Sequence, residues 1–238
     1  MIIYKPFCEI SAMTFDLDDT LYDNWPYIVE AEKALLDYIA QRYPDAAAIN
    51  KKDWQSYKMQ ALRADPRLFS DMGVLRKQVL NQGLSKCGYK GQDLSKAVDD
   101  CFDYFYHQRS NFTVPAAKIG VLEQLAEKLP LAAITNGNVN LKQIGIAHCF
   151  AHVFKSSINS PMKPHPHMFN AAVDALDIAA HQVLHVGDNL EKDVFGATNA
   201  GLISAWHACD RPMDIRNERV HVLPHVEIHE LGELLAFT

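Results

Sequence analysis

Asp16, Asp18 and Asp19 crowd three carboxylates into one turn, directly after the apolar run AMTF. Carboxylates at that spacing repel and raise one another's pKa unless a cation or hydrogen-bond donors hold them. A chain that needed only a turn there could use Asn, Gly or Ser. The stretch FDLDDTLYDN, residues 15–24, is therefore either a solvated turn or a site that holds a metal and reacts. That stretch alone does not decide between the two, and the elements that would position it have to be found elsewhere in the chain.

Residues 12–17 are apolar enough for a short buried strand. From about Trp25 to Gln108 the texture is helical, in VEAEKALLDYIAQRY, WQSYKMQALRA, MGVLRKQVLNQGLSKCG and DLSKAVDDCFDYFYHQR. Apolar residues recur there at spacings of three and four, as in Val29, Leu35, Leu36 and Ile39. Pro44, Pro66, Gly88 and Gly91 punctuate the segments. Four or five helices are expected, with the aromatics Trp54, Tyr57, Phe102, Tyr104, Phe105 and Tyr106 as their core. From about Val114 the pattern alternates. A helix in GVLEQLAEKL leads to the strand LAAIT, and a helix over 140–146 leads to a strand over 152–155. A helix over 167–176 leads to VLHV, and a helix over 191–199 leads to LISAW. Strands apolar on both faces, alternating with helices, predict a parallel sheet covered by helices. The expected fold is α/β: a Rossmann-like core, residues 1–21 and 110–238, interrupted by a helical bundle over 22–109.

In such sheets ligands bind beyond the carboxyl ends of the strands. The strand ends carry Asp16, Asp18 and Asp19; Thr135 and Asn136; and Gly187 and Asp188. Lys163 precedes the helix that leads to VLHV. The fold would gather these side chains on one rim. Asp16, Asp18, Asp188 and Asp193 can hold a hard cation such as Mg²⁺. Thr135, Lys163 and main-chain N–H groups can receive a phosphate. An aspartate can attack phosphorus to form an acyl phosphate. An anionic nucleophile approaching an anionic ester is repelled, so the cation and Lys163 are needed together. The bland alternatives are a turn or helix cap at Asp16 and Asp18, a plain Asn-Gly turn at 136–137, a surface lysine at 163, and dipole-stabilising acids at 188 and 193.

Composition narrows the classes. The chain has 238 residues, 48% of them hydrophobic, enough for a sizeable core. A formal net charge of −6 argues against general attraction to nucleic acid or anionic membrane. No apolar run is long enough to span a bilayer, and the start lacks a signal-peptide pattern. A cytoplasmic protein is expected, a monomer or weak homodimer, acting on a small-molecule phosphate ester. Cys8, Cys87, Cys101, Cys149 and Cys209 form no C-x-x-C pair and are expected to be free thiols. His165 and His167 have the spacing of a metal-ligand pair but fit a polar turn before a helix better.

FDLDDTL, ITNG, KPHPHMF and GDNLEKD, in that order, resemble the four motifs of the haloacid dehalogenase superfamily. The insertion between the first two stands where members with a first-type helical cap carry it. The resemblance implies Asp16 as nucleophile and Asp18 as general acid, with the Asp18 main-chain carbonyl on Mg²⁺. It implies Thr135 holding the phosphoryl group, with Asn136 behind it, and Lys163 steadying nucleophile and phosphate. Asp188 becomes a direct magnesium ligand, and Asp193 lies near the metal or ties down Lys163. Asn189 is given no ligand role. An acid two residues after the nucleophile serves a poor alkoxide leaving group, which a carbon–halogen bond lacks, so Asp18 favours phosphate esters over dehalogenation.

SAMTFDLDDTLYDN, LAAITNGN, VLHVGDNLEKDV and LPHVEIHELGELL are similar to bacterial phosphatases of the riboflavin pathway. Those act on 5-amino-6-(5-phospho-D-ribitylamino)uracil and on FMN. Other sugar or nucleoside phosphates, a phosphomutase reaction, and a non-catalytic module that binds phosphate or a protein stay open. Selectivity is expected from the helical insertion and from Tyr22, Asp23, Asn24 and Trp25.

Overall fold

The run AMTF forms strand β2 (Ala12–Phe15), with all four residues buried. A strand buried on both faces belongs in the middle of a parallel sheet. It pairs in parallel with β3 (Leu131–Thr135) on one side and β5 (Val183–Gly187) on the other. Beyond β3 lies β4 (His152–Lys155); beyond β5 lie β6 (Ile203–His207) and β7 (Val226–Ile228), all parallel. A two-residue strand, β1 (Ile2–Ile3), pairs antiparallel with β7 at the far edge. The order is β1-β7-β6-β5-β2-β3-β4. The chain runs outward from β2 to β3 and β4, then returns past β2 to β5, β6 and β7. The carboxyl end of β2 is therefore the topological switch point, where sheets of this kind leave a crevice for a ligand. Asp16 is the next residue.

The computed structural model describes residues 1–208, 211, 213, 214, 216 and 218–238. Two compact units make up the chain: residues 1–23, 113–137 and 145–238 in one, and 24–112 with 138–144 in the other.

The sheet unit has the α/β architecture that the alternating pattern predicts. Helix α5 (Ala116–Ala126) precedes β3, and α6 (His167–Leu176) precedes β5. Met168, Phe169 and Ala172 of α6 are buried in one cluster with Ala12, Ile134 and Val183 from three strands. Two expectations need correction. The helix expected over 140–146 is a turn. Its Asn140 side chain accepts from the N–H groups of Lys142 and Gln143, and Gly145, at φ +86°, ends it after one i→i−4 bond from Ile144 to Asn140. The helix expected over 191–199 is a π-helical turn, Leu190–Phe195, that runs into the short α7 (Gly196–Asn199). β1 and β7 have no counterpart in the sequence reading, because two or three residues are too few to show alternation.

In the helical unit, α1 (Trp25–Arg42), α2 (Lys51–Ala64), α3 (Met72–Lys86) and α4 (Gly91–Arg109) are linked at Pro44–Ala46 and Pro66–Ser70 by 3-10 turns. Asn50 starts α2 with a reciprocal cap, accepting from the Asp53 N–H while Asp53 accepts from the Asn50 N–H. The buried stripe of α1 is Ala31, Leu35 and Ile39, one face at i, i+4 and i+8. Val29 and Leu36, which the spacing had placed on that face, are exposed. Ala97, Val98, Cys101 and Phe105 of α4 pack on this stripe, with Trp54 and Phe102 half-buried against it. Of the six aromatics expected in the core, Phe105 is buried in it and Trp54 and Phe102 pack against it; Tyr57, Tyr104 and Tyr106 are half-buried outside that cluster, against Trp54, Tyr38 and Phe102 respectively.

No helix among the described residues is long and apolar enough to cross a membrane. Cys8, Cys87, Cys101 and Cys149 are thiols, and burial pushes the Cys101 thiol up to about 12. Cys209 lies outside the described residues.

Candidate active site

The Asp16 N–H donates to the Val186 carbonyl at 2.9 Å, so the ladder between β2 and β5 continues one step past the strand. The chain then folds tightly. The Leu21 N–H reaches the Leu17 carbonyl at 2.9 Å, and the Asp19 N–H reaches the Tyr22 carbonyl at 2.8 Å. Asp19 has φ +64°, a left-handed conformation that aspartate tolerates better than most residues. The Thr20 hydroxyl joins this turn to the one after β5. It donates to Asp188 Oδ1 and accepts from the Asp188 N–H, both at 3.1 Å. The Trp206 indole N–H donates to the Asp188 carbonyl at 2.7 Å. Asp188 is thus fixed from two sides.

Lys163 arrives from the segment between β4 and α6 with its ammonium buried. Nζ lies 2.6 Å from Asp16 Oδ1, 2.6 Å from Asp193 Oδ1 and 2.7 Å from the Ile134 carbonyl. Three donors meet three acceptors. Asn136 grips the main chain of this lysine: its Oδ1 accepts the Lys163 N–H at 2.8 Å, and its Nδ2 donates to the Lys163 carbonyl at 3.1 Å. Thr135, fully buried, accepts from the Gly137 N–H at 2.9 Å. That is a Thr turn at the strand end, so the plain-turn reading of this stretch and a functional one coexist. Asn189 caps the π-helical turn by accepting from the N–H groups of Glu191 and Lys192.

The structure therefore brings Asp16, Asn136, Lys163, Asp188 and Asp193 into one connected network, with Thr135 adjoining it through Asn136. Carboxylate oxygens of Asp16, Asp188 and Asp193 lie within 4.8 Å of one another. The Asp18 carboxylate is not in that trio; its Oδ1 accepts from the Tyr22 hydroxyl at 2.6 Å. His165 and His167 form the polar turn: His165 Nδ1 accepts from the His167 N–H at 3.2 Å, before α6.

The charges do not balance among these groups. One ammonium, Lys163, faces two buried carboxylates. Burial raises the Asp16 carboxyl well above its ordinary range, and Lys163 pulls it back only in part. Burial acts on Asp193 too, but Lys163 and His185 outweigh it and hold that carboxyl below the usual range. Burial would lower Lys163, and the two carboxylates more than offset it. Asp193 thus holds its charge beside Lys163, and Asp16 is left short of a counter-charge. Asp188 is pushed up to about 6, by burial first and then by Asp193. Two carboxyls that resist ionisation side by side mark a site lacking positive charge, and their hard oxygen donors suit a small divalent cation. The acidic cluster can hold a metal ion.

His185 completes the network and was not singled out from the sequence. It lies in β5 opposite Thr14 of β2, whose hydroxyl is 2.8 Å from Nδ1. Its Nε2 is 3.2 Å from Asp193 Oδ1, and burial lowers its pKa, which keeps the ring neutral. A neutral ring with Nε2–H donating to Asp193 and Nδ1 accepting from Thr14 satisfies both contacts. The signal was available, because a histidine inside an otherwise apolar strand needs partners. Thr20 and Trp206 carried no such signal, since their partners are distant in sequence.

Gly187 is required by close approach. A Cβ there would lie 2.3 Å from Asp193 Cγ and 2.6 Å from its Oδ2. Gly187→Ala is expected to displace Asp193, cost about 1–3 kcal/mol in urea unfolding, and lower turnover roughly a hundredfold. Gly120→Ala in α5, where a Cβ meets nothing within 4 Å, is the control and should stabilise by about 0.5–1 kcal/mol.

The family model described as haloacid dehalogenase-like hydrolase matches residues 10–201. The chain belongs to the haloacid dehalogenase-like hydrolases. Within that family it is 32% identical to 5-amino-6-(5-phospho-D-ribitylamino)uracil phosphatase YigB of Escherichia coli, over 98% of each chain. It is 28% identical to phosphoserine phosphatase of Thermus thermophilus, over 94% of this chain and 98% of that one. The crystal structure of 2-haloacid dehalogenase from Pseudomonas syringae pv. Tomato superposes with a TM-score of 0.90 at 32% identity, covering 96% of this chain and 97% of that one. Its phosphatase relatives place this haloacid dehalogenase-like hydrolase among the phosphoric monoester hydrolases.

Proposed function

We propose that this chain is a Mg²⁺-dependent phosphatase that works through an aspartyl phosphate on Asp16. The observation that carries the reading is the buried Lys163 ammonium joining Asp16 to Asp193 at the switch point of the sheet, with Asp188 beside them. Asp16 attacks phosphorus, and the bond to the alcohol oxygen breaks as Asp18 gives that oxygen its proton. Asp18, now a carboxylate, takes a proton from water. The water oxygen bonds to phosphorus, the bond to Asp16 breaks, and phosphate leaves. Lys163 holds the attacking carboxylate in place, Thr135 receives the phosphoryl oxygens, and Asn136 contributes by fixing Lys163. Asp16, Asp188 and the Asp18 main-chain carbonyl would hold Mg²⁺, with Asp193 behind them. Bound there, the ion supplies the charge that lets an anionic ester approach.

The substrate proposed is 5-amino-6-(5-phospho-D-ribitylamino)uracil, on the similarity to the E. coli enzyme over the full chain, with FMN, on the resemblance of the motifs to riboflavin-pathway phosphatases, as a second or alternative ester. The proposal keeps chemistry in the sheet unit and selectivity in the helical unit, and it takes the protein to be cytoplasmic. Dehalogenation, suggested by the P. syringae relative, is disfavoured by Asp18, an acid that halide departure does not need. Phosphate release should be measured with Mg²⁺ on both flavin-pathway esters, phosphoserine, phosphoglycolate, sugar phosphates and nucleotides. A preference of at least tenfold for a flavin-pathway ester supports the assignment; equal rates on all would remove it. Chelation should abolish turnover and Mg²⁺ restore it. Protons compete with metal for Asp188, so half-saturating Mg²⁺ should rise as pH falls below about 6, roughly tenfold per pH unit.

A further inference from the structure

Tyr22 was expected to help select the substrate, and its hydroxyl is engaged elsewhere. It donates to Asp18 Oδ1 at 2.6 Å, an ordinary length for a hydroxyl bonded to a carboxyl group. Tyr22 itself is 4% exposed, and Asp18 is half-buried. The pair is braced by its main chain. Asp18 and Tyr22 form a β-bridge, the Asp19 N–H closes on the Tyr22 carbonyl, and the left-handed Asp19 makes the bend that returns the chain to Asp18. The ring, its hydroxyl and the carboxyl group thus share one short rigid turn.

We infer that Tyr22 is a positioning residue for the acid: its hydroxyl fixes Oδ1 of Asp18 as the acceptor, so that Oδ2 carries the proton. This rests on the phosphatase reading above and deepens it. A carboxylic acid has two oxygens, and only a proton on the oxygen facing the ester can reach the departing alkoxide. In the first step Oδ2 gives its proton to the alcohol oxygen as the phosphorus–oxygen bond breaks, and Oδ1 keeps its hydrogen bond from Tyr22. Between the steps the same hydrogen bond supports the charge on the carboxylate, and in the second step Oδ2 takes the proton from water and the acid is restored. Tyr22 gives up no proton in either step. Without it the carboxyl group loses the bond that marks Oδ1 as the acceptor, and a larger fraction of encounters finds the proton on the wrong oxygen.

A misplaced acid has a signature that a general loosening of the site does not. An alkoxide leaving group needs the proton, whereas p-nitrophenolate leaves without it. The experiment compares FMN, an alkyl ester, with p-nitrophenyl phosphate in wild type, Tyr22→Phe, Asp18→Asn and the double variant, with Mg²⁺. Tyr22→Phe is expected to lower kcat on FMN about 10- to 100-fold and on p-nitrophenyl phosphate less than about 3-fold, with KM within about twofold on both. In the Asp18→Asn background the same change should leave the ratio of the two rates unaltered. Equal losses on the two esters, a rise in KM alone, or a further change of the ratio in the Asp18→Asn background would overturn the role. If Tyr22→Phe does not fold, 3-fluorotyrosine placed at position 22 keeps the shape and alters only the hydroxyl donor. A shifted ratio then supports the role, and an unshifted one overturns it. Wild type that releases phosphate from neither ester would remove the phosphatase reading itself, an outcome distinct from equal losses in the variant.

Discussion

Asp16→Asn should abolish turnover while leaving the protein at least as stable as wild type. The substitution removes the proposed nucleophile but keeps an oxygen where Lys163 donates at 2.6 Å. Loss of a residue that forms the covalent intermediate is expected to lower kcat by at least ~10⁴-fold. Stability moves the other way because of the charge count. In wild type one ammonium serves two buried carboxylates, and Asp16 is the one left with a raised pKa, chiefly by burial. A carboxyl group whose folded pKa is raised favours the folded state below its unfolded value of 3.8 and loses that contribution as pH rises through the folded value. Asn has nothing to ionise. The stability advantage of the variant should therefore be absent near pH 3.8 and grow as pH rises. Urea unfolding at several pH values, without metal, measures this directly. A variant less stable than wild type at neutral pH would contradict the charge assignment, and retained turnover would contradict Asp16 as nucleophile.

Lys163→Met is the change with the largest expected cost to the fold. The side chain is 1% exposed and holds Asp16 and Asp193 at 2.6 Å each. Methionine fits the space but leaves two carboxylates without their cation. Removing one partner of a buried ion pair costs about 3–5 kcal/mol, much of it the penalty on the group left behind. The pH dependence should reverse as well. In wild type Asp193 has a depressed pKa, so its contribution is present above the unfolded value of 3.8 and is lost as pH falls through the folded one. With Lys163 gone, burial dominates and Asp193 becomes easier to keep protonated, so the variant should approach wild-type stability in acid and fall away toward pH 8. Adding Asp193→Asn should recover part of the loss, because it removes one unpaired charge. Turnover should drop at least ~10³-fold and stay low in the double variant. Full recovery of turnover by the second change would mean that Lys163 acts only as a structural counter-ion.

These effects depend on groups whose importance was legible to different degrees. The alternation of helices with apolar strands fixed the α/β class, because strands buried on both faces leave no other pattern. It also placed Asp16, Thr135 and Asp188 at strand ends, since strand ends are where runs such as AMTF, LAAIT and VLHV stop. Local hydrogen bonds were less legible. Residues 140–146 looked helical by composition, but the Asn140 side chain and a left-handed Gly145 made them a turn. Val29 and Leu36 matched a helical period, yet the buried face of α1 passes through Ala31, Leu35 and Ile39. Periodicity gives the stripe's spacing and leaves its rotation to whatever packs against it.

By itself the sequence determined the chemistry that was possible: which acids, which lysine, and an order along the chain that a parallel sheet converts into one rim. Tertiary structure alone decided which of those groups touch. Lys163 reaches Asp16 across 147 positions of sequence and Thr20 reaches Asp188 across 168, and no local pattern encodes contacts at that range. It also decided what each touch does. A histidine in the apolar run VLHV signals that it needs partners, but only the folded strands name them, Thr14 and Asp193 on either side of its ring. The physical reason is that residue type sets what a group can donate or accept, whereas burial and the count of neighbouring charges set whether it is ionised, and those exist only once the strands have been laid side by side.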